Sequence, residues 1–241
     1  CLCSHHKTVE TAYLYTVIMK KLLLTAIAFV SLTSAIAQKI NKEKVVITTE
    51  YGKIVLALYD NTPKHRDNMF KLTKEKFFDS TLFHRVIPNF VIQGGDPESK
   101  KANAGQPLGE GDVGYRVPAE INVINFHQRG AIGMARDNNP EKASSGCQFY
   151  IVVGKKYTDE ELNTISERTG RKFTPKQRTI YKTQGGTPHL DGNYTVLGIV
   201  EEGMDIVDKI AAEPRNAQDR PNKDIRMLKV RFKKKKFLGI F

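Results

Sequence analysis

Six to eight short apolar runs, rich in β-branched and aromatic side chains and cut apart by Gly, Pro, Asn and Asp, occupy residues 45–232. The first two, 45–49 and 53–59 in VVITTEYGKIVLALY, nearly alternate and meet at Tyr51-Gly52, the pattern of a hairpin. Further extended runs fall at 82–86, 90–93, 130–135, 148–153, 195–200 and 225–232. So many short strands leave unpaired edges unless the sheet closes on itself, so a mainly β protein with a closed eight-stranded antiparallel β-barrel is expected. Two helices are available to cap it. In TPKHRDNMFKLTKEKFF, Thr62 falls at the N-cap and Pro63 at the first helical position, with Met69 and Leu72 on helical spacing. In MDIVDKIAAE, residues 204–213, Ile206, Val207 and Ile210 share one face.

Two segments are more than short connections. Residues 97–118, PESKKANAGQPLGEGDVGYRVP, form a long Gly- and Pro-rich loop; its glycines lack the strand–loop–helix frame and closing Lys-Ser or Lys-Thr of a phosphate cradle. Residues 155–188 carry two helical start and stop signals. Thr158 caps YTDEELNTISERTG, which stops at Gly170, and Thr174-Pro175 begins a second helix that stops at Gly185-Gly186. A helical insertion lobe is expected there.

At the N-terminal side, MKKLLLTAIAFVSLTSAIAQ has the three parts of a secretory signal: Lys20 and Lys21, an apolar run, and Ala35-Ile36-Ala37. The apolar run from Leu22 to Leu32 is shorter than the ~20 residues of a membrane span. Residues 19–37 are therefore expected to be a signal peptide and residues 1–18 an upstream extension before the true start at Met19. No membrane span is expected in the mature chain. With Cys1 and Cys3 set aside, Cys147 stands alone, has no disulfide partner, and is expected to be a small buried side chain.

The formal net charge is +12, with a concentration of Lys and Arg in RMLKVRFKKKK and a basic tail at 233–241. No stacking aromatics or recognisable module accompany these charges, so no nucleic-acid partner is expected. His65, His127 and His189 are scattered without ligand spacing, and no metal is expected.

FHRVIPNFVIQGGDP (83–97), AIGMAR, CQFYIVV and PHLDGNYTVLGIVEEGMDIVDKI follow in that order, and residues 45–232 resemble the cyclophilin family of peptidyl-prolyl cis-trans isomerases. The resemblance implies an eight-stranded barrel with two capping helices, an external groove and no cofactor. It implies Arg85, Gln93 and Phe90 as catalytic residues, with Arg85 as donor and Gln93 holding both the substrate backbone and Arg85. It implies Val91, Tyr150, Leu190 and Tyr194 in a proline pocket, a backbone contact at Arg136, and His189 in the binding wall. His84 is read as structural, because the chemistry abstracts no proton.

Several positions depart from well-known eukaryotic members: His189 for Trp, Tyr194 for His, Val91 for Met, Tyr150 for Phe and Arg136 for Asn. Weak cyclosporin sensitivity is expected from them. The implied partners are proline-containing unfolded or exported polypeptides, met by a monomer secreted across the inner membrane into the periplasm. A noncatalytic peptide-binding or scaffold module on the same barrel is the alternative, and the intact Arg85, Phe90 and Gln93 weigh against it.

Overall fold

The computed structural model describes residues 39–233. The expected upstream extension (1–18) and signal peptide (19–37), and the basic tail beyond Lys233, lie outside the described residues. The strands are β1 (Ile40–Thr49), β2 (Gly52–Tyr59), β3 (Phe83–Ile87), β4 (Val91–Gly94), β5 (Arg116–Val117), β6 (Ala131–Met134), β7 (Ser144–Ser145), β8 (Phe149–Val152), β9 (Val196–Glu202) and β10 (Lys229–Phe232). The helices are α1 (Pro63–Lys74), α2 (Asp159–Thr169), α3 (Pro175–Thr183) and α4 (Met204–Ala211).

Eight strands form one antiparallel sheet in the order β10-β1-β2-β9-β6-β8-β4-β3, and β5 pairs with β7 apart from it. The expected closed barrel is corrected: the ladder ends at two edges, β10 and β3, and the sheet is a curled half-barrel. The reason lies in the run expected as a strand over 225–232, which becomes regular only from Lys229. Residues 225–227 meet the start of β3 through an isolated Leu82–Arg226 bridge and single hydrogen bonds, Ser80 N to Met227 O at 2.9 Å and Phe83 N to Ile225 O at 2.9 Å. Those contacts cover the seam without continuing the ladder.

Strand alternation divides the side chains between two faces. Val86, Ile92, Phe149 and Ile151 join the main core with Met69 and Leu72 of α1 and Ile206, Val207 and Ile210 of α4. Each such large apolar side chain contributes about 1.5–3 kcal/mol when fully buried. Their sequence neighbours Val91, Tyr150 and Val152 form a second cluster on the other face, against which Phe90, Leu190 and Tyr194 pack. A one-residue slip of β4 or β8 would exchange the two sets, so core burial fixes the register that builds the groove.

Helix α1 starts at Pro63 as expected, but the Thr62 hydroxyl makes no capping bond. Glu120 replaces it, accepting from Lys64 N at 3.1 Å and His65 N at 3.0 Å. In the insertion lobe both expected caps form capping boxes, Thr158 with Glu161 and Thr174 with Gln177, and Gly170 ends α2 at φ 69°. Helices this short need tertiary packing, and Leu162, Ile165, Phe173 and Tyr181 supply it by enclosing a small core with Phe126.

Candidate active site

Arg85, Gln93, Tyr150 and Gly133 are successive register partners across β3, β4, β8 and β6. One row of the ladder therefore carries a cation, an amide, a phenol ring and a residue without a side chain. Gly133 is required there: a Cβ would lie 2.3–2.4 Å from the Tyr150 ring. The ring can rest on the sheet only because that position is bare.

The Gln93 amide is oriented from behind. Gln148 donates through Nε2 to Gly109 O and Gly111 O, both at 2.8 Å, so its Oε1 faces Gln93 and accepts from Gln93 Nε2 at 3.2 Å. Gln93 Oε1 is thereby left facing Arg85 Nη1 at 3.5 Å. On the other flank, Asp219 Oδ2 stands 3.8 Å from Arg85 Nε. Asp219 occupies a left-handed φ of 61°, which Asp tolerates better than most residues, and its carbonyl accepts from Val86 N at 2.9 Å. The guanidinium, 40% exposed, also lies 6.0 Å from the Phe90 ring centroid.

Phe90 is fixed by its carbonyl, which accepts from Val153 N and Gly154 N at 2.9 and 3.1 Å, and by His189 stacked 5.5 Å away. Tyr194 meets Tyr150 edge-on at 6.0 Å. The Arg136 guanidinium covers the Tyr194 ring at 4.9 Å and donates to Asn193 O at 2.9 Å. At Arg136 the side chain itself therefore builds wall.

Of the nine residues expected in the site, all but His189 line one cavity of about 150 Å³. His189 stands behind Phe90 instead. Drug-sized ligands occupy about 300–1,000 Å³, so this cavity suits one small side chain. A larger cavity of about 740 Å³ adjoins it through Gln93, Ala135 and Arg136 and runs along residues 109–116.

His84 and Cys147, both close by, are unsuited to proton transfer or nucleophilic attack. Burial holds His84 down at about 4, and neither ring nitrogen has a hydrogen-bond partner. Cys147 is fully buried, as expected, and burial pushes its thiol up to about 11, so it is not a thiolate. Among the described residues, no three His, Cys, Asp or Glu side chains are grouped to hold a metal ion.

Sequence reasoning missed Ala135, Gln148 and Asp219. Gln148 carried a signal: it is a polar residue inside the apolar run CQFYIVV, and such a residue needs a partner when buried. Asp219 carried none, because only the fold brings its loop to β3.

The candidate site is thus a groove with an oriented amide beside an arginine and a small apolar pocket. A family model described as cyclophilin type peptidyl-prolyl cis-trans isomerase/CLD matches residues 44–232, and the chain belongs to that family. A protein of Staphylococcus epidermidis named as a peptidyl-prolyl cis-trans isomerase is 33% identical over 186 residues, covering 77% of this chain and 89% of its own. A Streptococcus pyogenes protein named as a bifunctional phosphatase/peptidyl-prolyl cis-trans isomerase is 36% identical over 187 residues, 76% of this chain, which spans 37% of that longer protein. The crystal structure of a Cryptosporidium parvum cyclophilin type peptidyl-prolyl cis-trans isomerase superposes with a TM-score of 0.58 at 21% identity, covering 80% of this chain and 98% of that one. That similarity extends to the fold.

Proposed function

We propose that this chain accelerates rotation about X-Pro bonds in unfolded polypeptides, proteins exported by a bacterial cell in particular. The observation that carries the reading is the Arg85–Gln93 pair at the edge of a one-side-chain cavity floored by Tyr150 and walled by Phe90. An X-Pro amide favours trans by only about 0.5–1 kcal/mol, but rotation must break amide resonance over a barrier of about 20 kcal/mol. A catalyst needs no covalent step; it must hold the twisted amide more tightly than either planar form.

As the C–N bond twists, the proline nitrogen becomes pyramidal and gains a lone pair. Arg85, always charged, supplies N–H donors to that nitrogen, and the planar amide lacks the lone pair to accept them. Gln93 turns the guanidinium toward the groove and offers hydrogen bonds to substrate backbone. Phe90, Val91, Leu190 and Tyr194 hold the proline ring while the rest of the chain turns. The larger cavity beside Gln93 and Arg136 accommodates further residues of the peptide.

Export to the periplasm rests on the signal pattern at 19–37, and action as a monomer without nucleic acid is part of the same proposal. A protease-coupled assay of an Ala-Pro peptide tests the activity: acceleration of the slow cis phase supports it, and an unchanged phase overturns it. N-terminal sequencing of the exported protein tests the processing, with a start near Gln38 expected.

A further inference from the structure

Tyr150 brings a polar group to the floor of an apolar groove. Its ring lines the small cavity, yet the residue is only 4% exposed, so its hydroxyl must find a partner inside the protein. That partner is His127 Nε2, at 2.9 Å. The other ring nitrogen, Nδ1, lies 2.7 Å from Asp191 Oδ1, which can only accept as a carboxylate. In the neutral imidazole this geometry puts the proton on Nδ1 and leaves Nε2 to accept from the Tyr150 hydroxyl. Asp191 Oδ1 also accepts the His127 backbone N–H at 2.8 Å, and its Oδ2 accepts the Tyr181 hydroxyl at 2.6 Å.

These four side chains form one buried chain of hydrogen bonds, with exposures of 1% for His127, 0% for Tyr181 and 5% for Asp191. It begins on α3 of the insertion lobe and ends at the pocket floor. Asp191 also sits in the turn that presents His189, Leu190 and Tyr194, so one carboxylate anchors both the floor and the wall. Arg171, from the link between α2 and α3, stands 3.7 Å from the same carboxylate.

We propose that His127, Asp191 and Tyr181 are positioning residues that hold the Tyr150 hydroxyl away from the bound proline ring, so that the 155–188 lobe sets the polarity and shape of the proline pocket. The inference rests on the proline-pocket reading above. An untethered hydroxyl would have to turn toward the ring or remain buried without a partner, and either weakens binding of an apolar ring. Arg85 is not touched by this chain, so turnover of bound peptide should be spared.

The test measures the dissociation constant of an Ala-Pro tetrapeptide by calorimetry, kcat by the coupled assay, and the urea midpoint, for four proteins besides wild type. His127→Leu removes the acceptor and is expected to weaken binding about tenfold, with kcat within about twofold. His127→Gln, which can accept from Tyr150 and donate to Asp191, should bind near the wild-type level. Tyr150→Phe added to His127→Leu should restore most of the lost affinity, because the stranded hydroxyl is gone. Tyr181→Phe should weaken binding less than His127→Leu.

Wild-type affinity in His127→Leu overturns the inference, as does a double variant that binds no better than His127→Leu, since a purely structural role would not be rescued this way. Should the wild-type protein neither bind nor isomerise the peptide, the proline reading fails, and ¹⁵N shifts of His127 decide the tether separately. The Nδ1-protonated tautomer supports it and the Nε2-protonated tautomer overturns it.

Discussion

At one end of the groove the Arg85 guanidinium is 40% exposed and its nearest polar partners stand at 3.5 and 3.8 Å; at the other, Tyr150 is 4% exposed and tied through bonds of 2.9, 2.7 and 2.6 Å. The two residues share one ladder row and lie only two strands apart. A loosely held donor can follow the nitrogen as the amide twists. A buried, tethered floor keeps the proline ring still, and rotation of one part relative to the other requires both. Under the proposed function, the first end serves rate enhancement and the second affinity.

Arg85→Ala should give the largest effect, a loss of about 10²–10³ in kcat/KM, with an unchanged urea midpoint because the side chain lies outside the main core. Equal losses from Arg85→Ala and from floor substitutions in both kcat and affinity would erase the distinction between the ends.

The pH dependence sharpens it. His84, next to Arg85 on β3 but turned to the buried face, has its pKa lowered from 6.5 to about 4 by burial. As pH falls through that window the unfolded chain takes up a proton that the folded chain refuses. Stability is full above about pH 6.5 and declines by about 3 kcal/mol until pH 4, where this contribution levels off. His65, also lowered by burial, acts in the same direction. Urea unfolding at pH 7.5 and 4.5 should show the decline, and His84→Phe should reduce it. Turnover should stay flat from about pH 6 to 8, since the proposed mechanism moves no proton; a sigmoidal rise of kcat near pH 6.5 would implicate a histidine.

Gly133→Ala attacks the floor, because the added Cβ must displace the Tyr150 ring. It should lower stability by about 1–3 kcal/mol and weaken peptide binding more than it lowers kcat. Gln148→Ala should give the smallest effect, a drop of about fivefold in kcat/KM, the scale of one hydrogen bond. It releases Gln93 and through it the orientation of Arg85, so kcat should fall more than affinity.

The ladder strands and the helices were legible because local pattern and burial agree: Ile92 and Val91 go to opposite faces as alternation requires, and Thr158 and Thr174 cap as their sequences imply. Closure was not legible, since apolar content over 225–228 does not distinguish a regular strand from buried irregular chain; Ile225 and Met227 are fully buried without laddering. The Thr62 cap failed because Glu120, distant in sequence, displaced a local bond. The two-residue strands β5 and β7 are too short to show a period. Tyr150 appeared in the sequence as pocket wall, but its partner His127 appeared only as a scattered histidine, because their contact exists only after β8 and the turn at Asp191 come together.

Exchange NMR on a proline peptide with wild-type and Arg85→Ala protein tests the division of labour most directly, because it reports binding and isomerisation of the same bound ligand. The expected result is that Arg85→Ala binds the peptide within about threefold of wild type while the catalysed exchange rate falls by about two orders of magnitude. A variant that retains the exchange rate, or one that loses affinity as severely as rate, would contradict the assignment of amide rotation to Arg85.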